Sequence, residues 1–380
     1  MEFFNKIKLF FNKTWVIFLC AAWFIIGWVV HARWGSPETK IIDVAFHSIA
    51  NDSFFNDKTK AELSYSAIRG MLSEINDPWG ELLEPEAANN LLDTFAGRTG
   101  VVGLYAEKQG GQVVILIIYP DSPAEKAGLQ PGDVILSIDG IPLDEDADSS
   151  ETGLLIRGAP ETAVTLETLR DGVRHEVELI RQQQNFVTAH MLPEDIGYIS
   201  LFAFNVTSSQ EMRMELAALL TQEPNGLIWD LRNNEGGDMQ ATQDILSIFI
   251  EKGLLFSVAL TQGRTVQFYA KGNAIAPDIP LVVLMDETTY SAAETAAAAI
   301  AELGRGTTVG STSYGKGLIQ ATIPLGEDVM LQMTIAKWLS SNGVWYHGQG
   351  VPPQVEVIDD PATEADEVLQ KAVEVLLATP

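Results

Sequence analysis

Cysteine is nearly absent. Cys20 is the only one in 380 residues, so no intramolecular disulfide can staple the fold. It follows the bulky Leu19 inside an apolar N-terminal run, which reads as membrane filler rather than a lipid-attachment site. Basic residues are scarce too: 24 Lys and Arg against 51 Asp and Glu give a formal net charge of −27. The first 34 residues run the other way, with Lys6, Lys8, Lys13 and Arg33 against Glu2 alone, leaving 20 basic and 50 acidic residues in the remainder. Such a surface repels phosphate backbones, which argues against nucleic acid and against acidic partners. Histidine is limited to His31, His47, His175, His190 and His347. None sits at a strand-to-helix turn and G-x-S-x-G is missing, so a Ser-His-Asp hydrolase has little support. His347 with Asp286 is the only such pairing to assemble, and His347 reads better as a loop residue. Internal repeats and long low-complexity linkers are also lacking.

One long apolar run is present. Trp15 to Val30, WVIFLCAAWFIIGWVV, carries no charge and follows three lysines. Its sixteen residues fall short of the roughly 20 of a usual span, but Phe10 and Phe11 extend it, and Trp15, Trp28 and Trp34 suit interfacial belts. The preceding lysines orient it. Residues 1–34 read as a cytoplasmic basic stub and transmembrane anchor, with residues 35–380 outside the cell membrane in a single-pass arrangement. A signal peptide cleaved near Val30-His31-Ala32 is the alternative.

Beyond the run the pattern changes twice. ETKIIDVAFHSIA and TKAELSYSAIRGMLSEI have helical periodicity, broken at Asn76-Asp77-Pro78, and EPEAANNLLDTF predicts another short helix. Residues 35–96 thus form a helical region whose stretch 38–93 offers a surface for a homodimer. Residues 97–183 form a small β-rich unit: VVILIIY is a strand, DSPAEKAGLQPGDVILSIDG is rich in turns, and AVTLETLRDG with VRHEVELIR predicts a hairpin around Asp171-Gly172. From residue 184 to 380, strands (IGYISLFAF, GLIWDLR, PLVVLM, TTVG, LIQATIPL) alternate with helices (SSQEMRMELAALL, MQATQDILSIFI, SAAETAAAAIAELG). That alternation predicts an α/β core, mixed α+β overall, with helices covering a sheet. In such folds sites form where strand ends meet helix starts, which points to Arg232–Asp238 and Asp286–Ala292.

Several segments, in order, resemble the carboxyl-terminal processing, or tail-specific, proteases. SPAEKAGLQPGDVILSIDG and RGAPETAVTLETLRDG are similar to that family's inserted PDZ domain. LIWDLRNNEGGDM resembles its D-L-R-x-N-x-G-G oxyanion loop, and Ser291-Ala292-Ala293-Glu294 its S-A-S-E nucleophile motif. Tyr314-Gly315-Lys316-Gly317 resembles F-G-K-G, which carries the lysine base, and Gln320 falls where the family has its third catalytic residue. GMLSEINDPWGELLEPE upstream and HGQGVPPQVEV downstream resemble flanking family stretches, so the likeness runs from about residue 40 to the C-terminus. The resemblance implies a Ser-Lys endopeptidase that needs no cofactor or metal and recognises polypeptides through their C-terminal regions. Departures are Thr288-Thr289-Tyr290 for a run of small residues, which narrows the pocket, an imperfect GVVG at 100–103 where the family's carboxylate loop falls, and Gln354 for an aspartate.

The residues can be weighed on their own chemistry. Ser-Ala-Ala-Glu is a capping box, so Ser291 by itself reads as a helix cap. A nucleophile wants the same place, because free N–H groups and the helix dipole stabilise developing negative charge. Ala292 N–H then serves an oxyanion hole, with Gly236 or Gly237 supplying the second donor. Lys316 is the base on one condition: at an ordinary pKa only about one lysine in 2,500 is neutral at pH 7, so it must be desolvated. Gln320 projects like Lys316 and Leu318 if LIQ is a strand, and accepts from the amine without adding charge. G-x-x-x-x-G-K in GSTSYGKGLIQ suggests a phosphate loop, but Gly317 stands where Mg²⁺ needs a hydroxyl and a strand follows instead of a helix. The reading from another class is a proteolytically inactive PDZ scaffold that binds protein tails.

Overall fold

The computed structural model describes residues 37–378 apart from 96–97, 120–121, 144–148, 184–185, 327, 360–362 and 364. The apolar run Trp15–Val30 lies outside these residues. Among the described ones no helix is long and apolar enough to cross a membrane. The chain divides into two compact units, one ending at Asn76 and the other starting at Asp77.

The first unit contains α1 (Pro37–Asp52) and α2 (Lys60–Ile75), which touch each other. Thr59 starts α2 with a capping box: its Oγ1 accepts from Glu62 N at 3.2 Å, and Glu62 Oε2 accepts from Thr59 N at 2.7 Å. Asn76, left-handed at φ 50°, ends it. No residue of α2 is buried, and Ile41, Val44, Phe54 and Phe55 are exposed.

The second unit opens with β1 (Glu81–Leu83) and α3 (Pro85–Phe95). An antiparallel domain follows, clasped where β2 (Gly100–Val101) pairs with β9 (Gln182–Gln183). Between them run β3 (Leu104–Gln109), β4 (Gln112–Ile118), α4 (Pro123–Lys126), β5 (Val134–Ile138), β6 (Ile141–Pro142), α5 (Ser149–Ile156), β7 (Ala163–Arg170) and β8 (Val173–Ile180). The sheet order is β3-β4-β5-β7-β8, and α5 packs beside the edge strand β3. The expected hairpin joins β7 to β8 through Asp171 and Gly172, both with positive φ as a two-residue turn requires. Alternate strand residues such as Val164, Leu166, Val113 and Ile115 form this domain's core.

The α/β core comprises β10 (Val187–Leu192), β11 (Ile196–Leu201), α6 (Ser208–Leu220), β12 (Gly226–Asp230), α7 (Met239–Phe249), β13 (Leu254–Leu260), β14 (Thr265–Tyr269), β15 (Leu281–Met285), α8 (Ala292–Glu302), β16 (Thr307–Gly310), β17 (Leu318–Gly326), β18 (Val329–Ser340), β19 (Val355–Glu356) and α9 (Glu367–Leu377). Its main sheet has the order β10-β11-β12-β15-β16-β19, parallel from β11 onward. Period-two burial sorts the side chains. Leu227, Trp229, Val283 and Met285 join the core under α6, α7 and α8, while Ile228, Val282 and Leu284 meet Val368, Ala372 and Leu376 of α9.

A second sheet, β1-β18-β13-β14 with β17 on β18, had no counterpart in the sequence reading beyond the strand LIQATIPL. Helix α8 touches β15 and β16 of the first sheet and β13 and β18 of the second. Its sequence AAETAAAAIAE explains how. With Ala292, Ala293 and Ala296–Ala299 buried, the two sheets close on the helix from both sides.

Candidate active site

Strand β15 delivers the chain into Asp286–Tyr290, a loop tied to the one after β12. Asp286 Oδ1 accepts from Thr288 Oγ1 at 2.8 Å and Thr288 N at 3.0 Å. Thr289 Oγ1 donates to Leu231 O at 2.8 Å, and Tyr290 N to Asn234 O at 3.1 Å. Burial pushes the Asp286 carboxyl up, against the hydrogen bonds of Thr288 and Thr289. Ser291 then stands at φ 60°, ψ −118° at the head of α8, a conformation L residues rarely adopt. An ordinary cap sits in the extended region, so Ser291 is an elbow, and its position at a helix start is not explained by capping alone.

The glycine loop presses on this elbow. A Cβ on Gly236 would lie 2.7 Å from both Ala292 N and Tyr290 O, and one on Gly237 2.0 Å from Phe204 O. Both glycines also have positive φ, 88° and 138°. Asn234, fully buried, shapes the turn: its Nδ2 donates to Leu201 O at 2.6 Å, and its Oδ1 accepts from Gly236 N at 2.8 Å. Gly236 N–H is therefore occupied. The N–H groups of Gly237 and Ala292 have no partner among the described residues.

Lys316 is brought to the elbow by the side chain that the sequence marks only as the capping-box partner of Ser291. Glu294, fully buried on the first turn of α8, accepts four hydrogen bonds. Oε1 takes Ser313 Oγ at 2.6 Å and Gly315 N at 2.7 Å; Oε2 takes Ser291 N and Lys316 N, each at 2.8 Å. One carboxylate thus fixes the serine and lysine loops against each other. Burial pushes its carboxyl up, while the four donors favour the anion. Two indoles hold the other side of the lysine loop, Trp338 Nε1 on Lys316 O and Trp345 Nε1 on Gly317 O, both at 2.9 Å.

The Lys316 side chain ends among aromatic rings, with Nζ 4.1 Å from the Trp79 ring centroid and 5.4 Å from that of Tyr290. Burial lowers its pKa below the ordinary lysine value, opposed by Glu235 and Glu294. Among the described residues no hydrogen bond joins Nζ to Ser291 or Gln320. Gln320 is set from behind: its Nε2 donates to Thr334 Oγ1 at 3.2 Å, which donates to Asp77 Oδ1 at 2.9 Å. Asp77 only accepts here, so Thr334 must receive from the amide nitrogen, leaving Gln320 Oε1 as the free acceptor. Burial raises the Asp77 carboxyl, but bonds from Thr334 and Trp79 outweigh it and hold the group below its usual value.

His347 is a loop residue, its Nδ1 at 3.2 Å from both Gly317 N and Gly315 O. Asp286 is engaged elsewhere, so the two form no triad. Asp230 and Arg232 support the glycine loop: Arg232 bonds Asp230 and, at 2.9 Å, both oxygens of Asp366 at the start of α9. Among the described residues no cluster of three or more His, Cys, Asp or Glu is arranged to hold a metal ion.

Sequence signals for the missed residues were uneven. The S-x-x-E spacing marked Glu294 but attached it only to Ser291. Asp77 and Trp79 fall in the family-like stretch GMLSEINDPWGELLEPE, but nothing local ties them to the lysine, which Trp79 meets through its ring and Asp77 through Thr334 of β18.

A serine elbow under a glycine loop, in a core that carries an antiparallel domain with a helix beside its edge strand, defines a PDZ-bearing serine peptidase. Comparison with known proteins specifies it further. Residues 195–357 match Peptidase family S41, and residues 114–170 match a PDZ domain. The carboxyl-terminal-processing protease of Synechocystis sp. (strain ATCC 27184 / PCC 6803 / Kazusa) is 35% identical over 321 residues, 82% of this chain and 74% of that protein. The carboxy-terminal processing protease CtpB of Bacillus subtilis (strain 168) is 29% identical over 327 residues, 83% of this chain and 67% of that one. Among solved structures, a photosystem II D1 C-terminal processing protease superposes with a TM-score of 0.62 at 28% identity, covering 92% of this chain and 95% of its own. The chain belongs to the carboxyl-terminal processing protease family.

Proposed function

We propose that this protein is a membrane-anchored, extracytoplasmic endopeptidase that captures polypeptides by their C-terminal regions and cleaves them through Ser291 and Lys316. Ser291 Oγ attacks the scissile carbonyl while its proton passes to neutral Lys316 Nζ, which returns it to the leaving amine. Water then attacks the acyl-enzyme with Lys316 again the base, releasing the acid and regenerating the serine. Gln320 Oε1 orients the amine. Ala292 N–H and Gly237 N–H, rather than the occupied Gly236 N–H, hold the oxyanion. The observation that carries this reading is the Glu294 carboxylate, which bonds Ser291 N and Lys316 N through one oxygen.

The PDZ domain suits tail capture by strand addition, since β3 is a free edge with α5 beside it. Exposed Ile41, Val44, Phe54 and Phe55 make the α1–α2 unit the candidate surface for a homodimer. The anchor rests on the run Trp15–Val30.

Incubation of the full chain with labelled unfolded casein tests the chemistry. Wild type cuts; Ser291→Ala and Lys316→Ala do not. Cleavage surviving in both variants would remove Ser291 and Lys316 from the chemistry, and cleavage absent from the wild type would leave the tail-binding scaffold as the better account. Blocking or removing a substrate's C-terminus slows cleavage if the PDZ groove captures tails.

A further inference from the structure

We propose that Trp79 is a positioning residue for the base: its indole face holds the Lys316 ammonium, and so sets where the amine rests and how readily it gives up its proton. This rests on Lys316 being the base.

Trp79 reaches the lysine from the turn Asn76-Asp77-Pro78-Trp79-Gly80, far away in the chain. The turn is built to hold it. Trp79 N donates to Asp77 Oδ1 at 3.0 Å, Gly80 N to Asp77 O at 3.1 Å, and Pro78 fixes the backbone between. Asp77 is in turn fastened to β18, taking Thr334 N on Oδ2 at 2.7 Å, and Gln332 Nε2 reaches Trp79 O at 3.5 Å. The indole is therefore placed by the same carboxylate that orients Gln320.

At 4.1 Å from the ring centroid, Nζ lies well inside the ~6 Å range over which an aromatic face attracts a cation. Tyr290 adds a more distant ring at 5.4 Å. Two effects oppose each other at this amine. Burial favours neutral lysine, and the aromatic face favours the ammonium. The charged groups facing it are Glu235 of the glycine loop and Glu294 of α8, both favouring the ammonium. Asp77 has its carboxylate taken up by Trp79 and Thr334, and Lys337 of β18 lies over the Trp345 ring at 4.5 Å instead. Tyr290 and Tyr314 complete the surroundings, their rings 5.4 Å apart. Replacing the indole by an apolar side chain without a π face keeps water out but removes the attraction, so the amine should lose its proton at lower pH.

The test is kcat/KM for labelled casein as a function of pH, with the full chain as wild type, Trp79→Phe and Trp79→Leu. The rising limb moves down by about one pH unit in Trp79→Leu, and by less in Trp79→Phe, which keeps an aromatic face. A limb that stays in place, or moves up because the indole served only to exclude water, overturns the proposal. A residue that merely supports the fold would lower kcat without moving the limb. As a readout independent of turnover, acylation of Lys316 by an amine-selective aryl ester is followed by peptide mass spectrometry in the Ser291→Ala background. At neutral pH it should run about tenfold faster when Trp79→Leu is added, and an unchanged rate counts against the proposal. If Trp79→Leu does not fold, Trp79→Phe carries both measurements, with the same direction required. Lys316→Ala separates the two levels: casein cleavage persisting in it removes the base itself, whereas loss of cleavage with an unmoved limb removes only the role of Trp79.

Discussion

Ser291 holds a backbone conformation, φ 60° and ψ −118°, that normally suits glycine. Such an outlier costs about 1–3 kcal/mol, and here the cost is borne by the residue proposed to react. It yields a stability prediction independent of any assay. Ser291→Ala keeps the strain, whereas Ser291→Gly releases it, less the extra chain entropy of glycine in the unfolded state. Ser291→Gly should therefore withstand more urea than Ser291→Ala by about 1 kcal/mol; equal midpoints would mean the elbow is not strained. Glu294 makes the complementary case. Its four partners all donate, so Glu294→Gln, nearly the same shape, turns an amide N–H₂ toward a donor. The serine and lysine loops lose their shared anchor, and kcat should fall about 10²-fold, with circular dichroism showing the fold retained. A kcat near that of the wild type would show that other contacts suffice.

Much of the architecture was legible because periodicity reports burial directly. The strand–helix alternation from β11 to β16, the β7–β8 hairpin and the helices α1 to α3 all appear where the pattern placed them. Strands β13, β14 and β18 have no counterpart in the sequence pattern, and β18 organises the lysine site. One of its edges pairs with β17; its other edge pairs with β1 at 330–332 and β13 at 336–340. In the gap Asp77 takes the Thr334 N–H. The register also shifts between Ile319 and Gln320, so that Gln320 faces Thr334 and not Ile335. No local pattern encodes a bulge of this kind, because it is fixed by what lies across the sheet. Thr334→Val keeps the shape but removes the hydroxyl between Gln320 and Asp77. Loss of that link should reduce kcat about tenfold, equivalent to about 1.4 kcal/mol, with KM little changed. A shift in KM alone would assign Thr334 to substrate binding instead.

At the scale of the molecule, the site is assembled from segments scattered along the chain: 77–79, 234–237, 286–294, 313–320 and 334. The antiparallel domain reaches it as well. Tyr119 packs edge-on against Phe202 of the core, with ring centroids 5.5 Å apart. Burial pushes the Tyr105 and Tyr119 hydroxyls up to about 12, and Glu235 of the glycine loop adds to both shifts. The same glutamate opposes neutralisation of Lys316, so it works against the role proposed for this amine while burial works for it. Burial prevails and the Lys316 pKa is lowered. In the proposed mechanism neutral lysine is the active form, so kcat/KM should rise with pH through a midpoint below the ordinary lysine value of about 10.4. A profile that rises only in the ordinary lysine range would contradict the burial of this amine.

The Thr334 N–H has a further consequence. It lies within a strand yet donates to a carboxylate from the opening turn of this unit, Asp77, at 2.7 Å. Its exchange with deuterated solvent is therefore governed by the docking of that turn, while its neighbours in β18 report on sheet pairing. When the turn lifts away, this amide should exchange ahead of the rest of its strand, and its rate becomes a clock for how often the lysine and its glutamine lose their support.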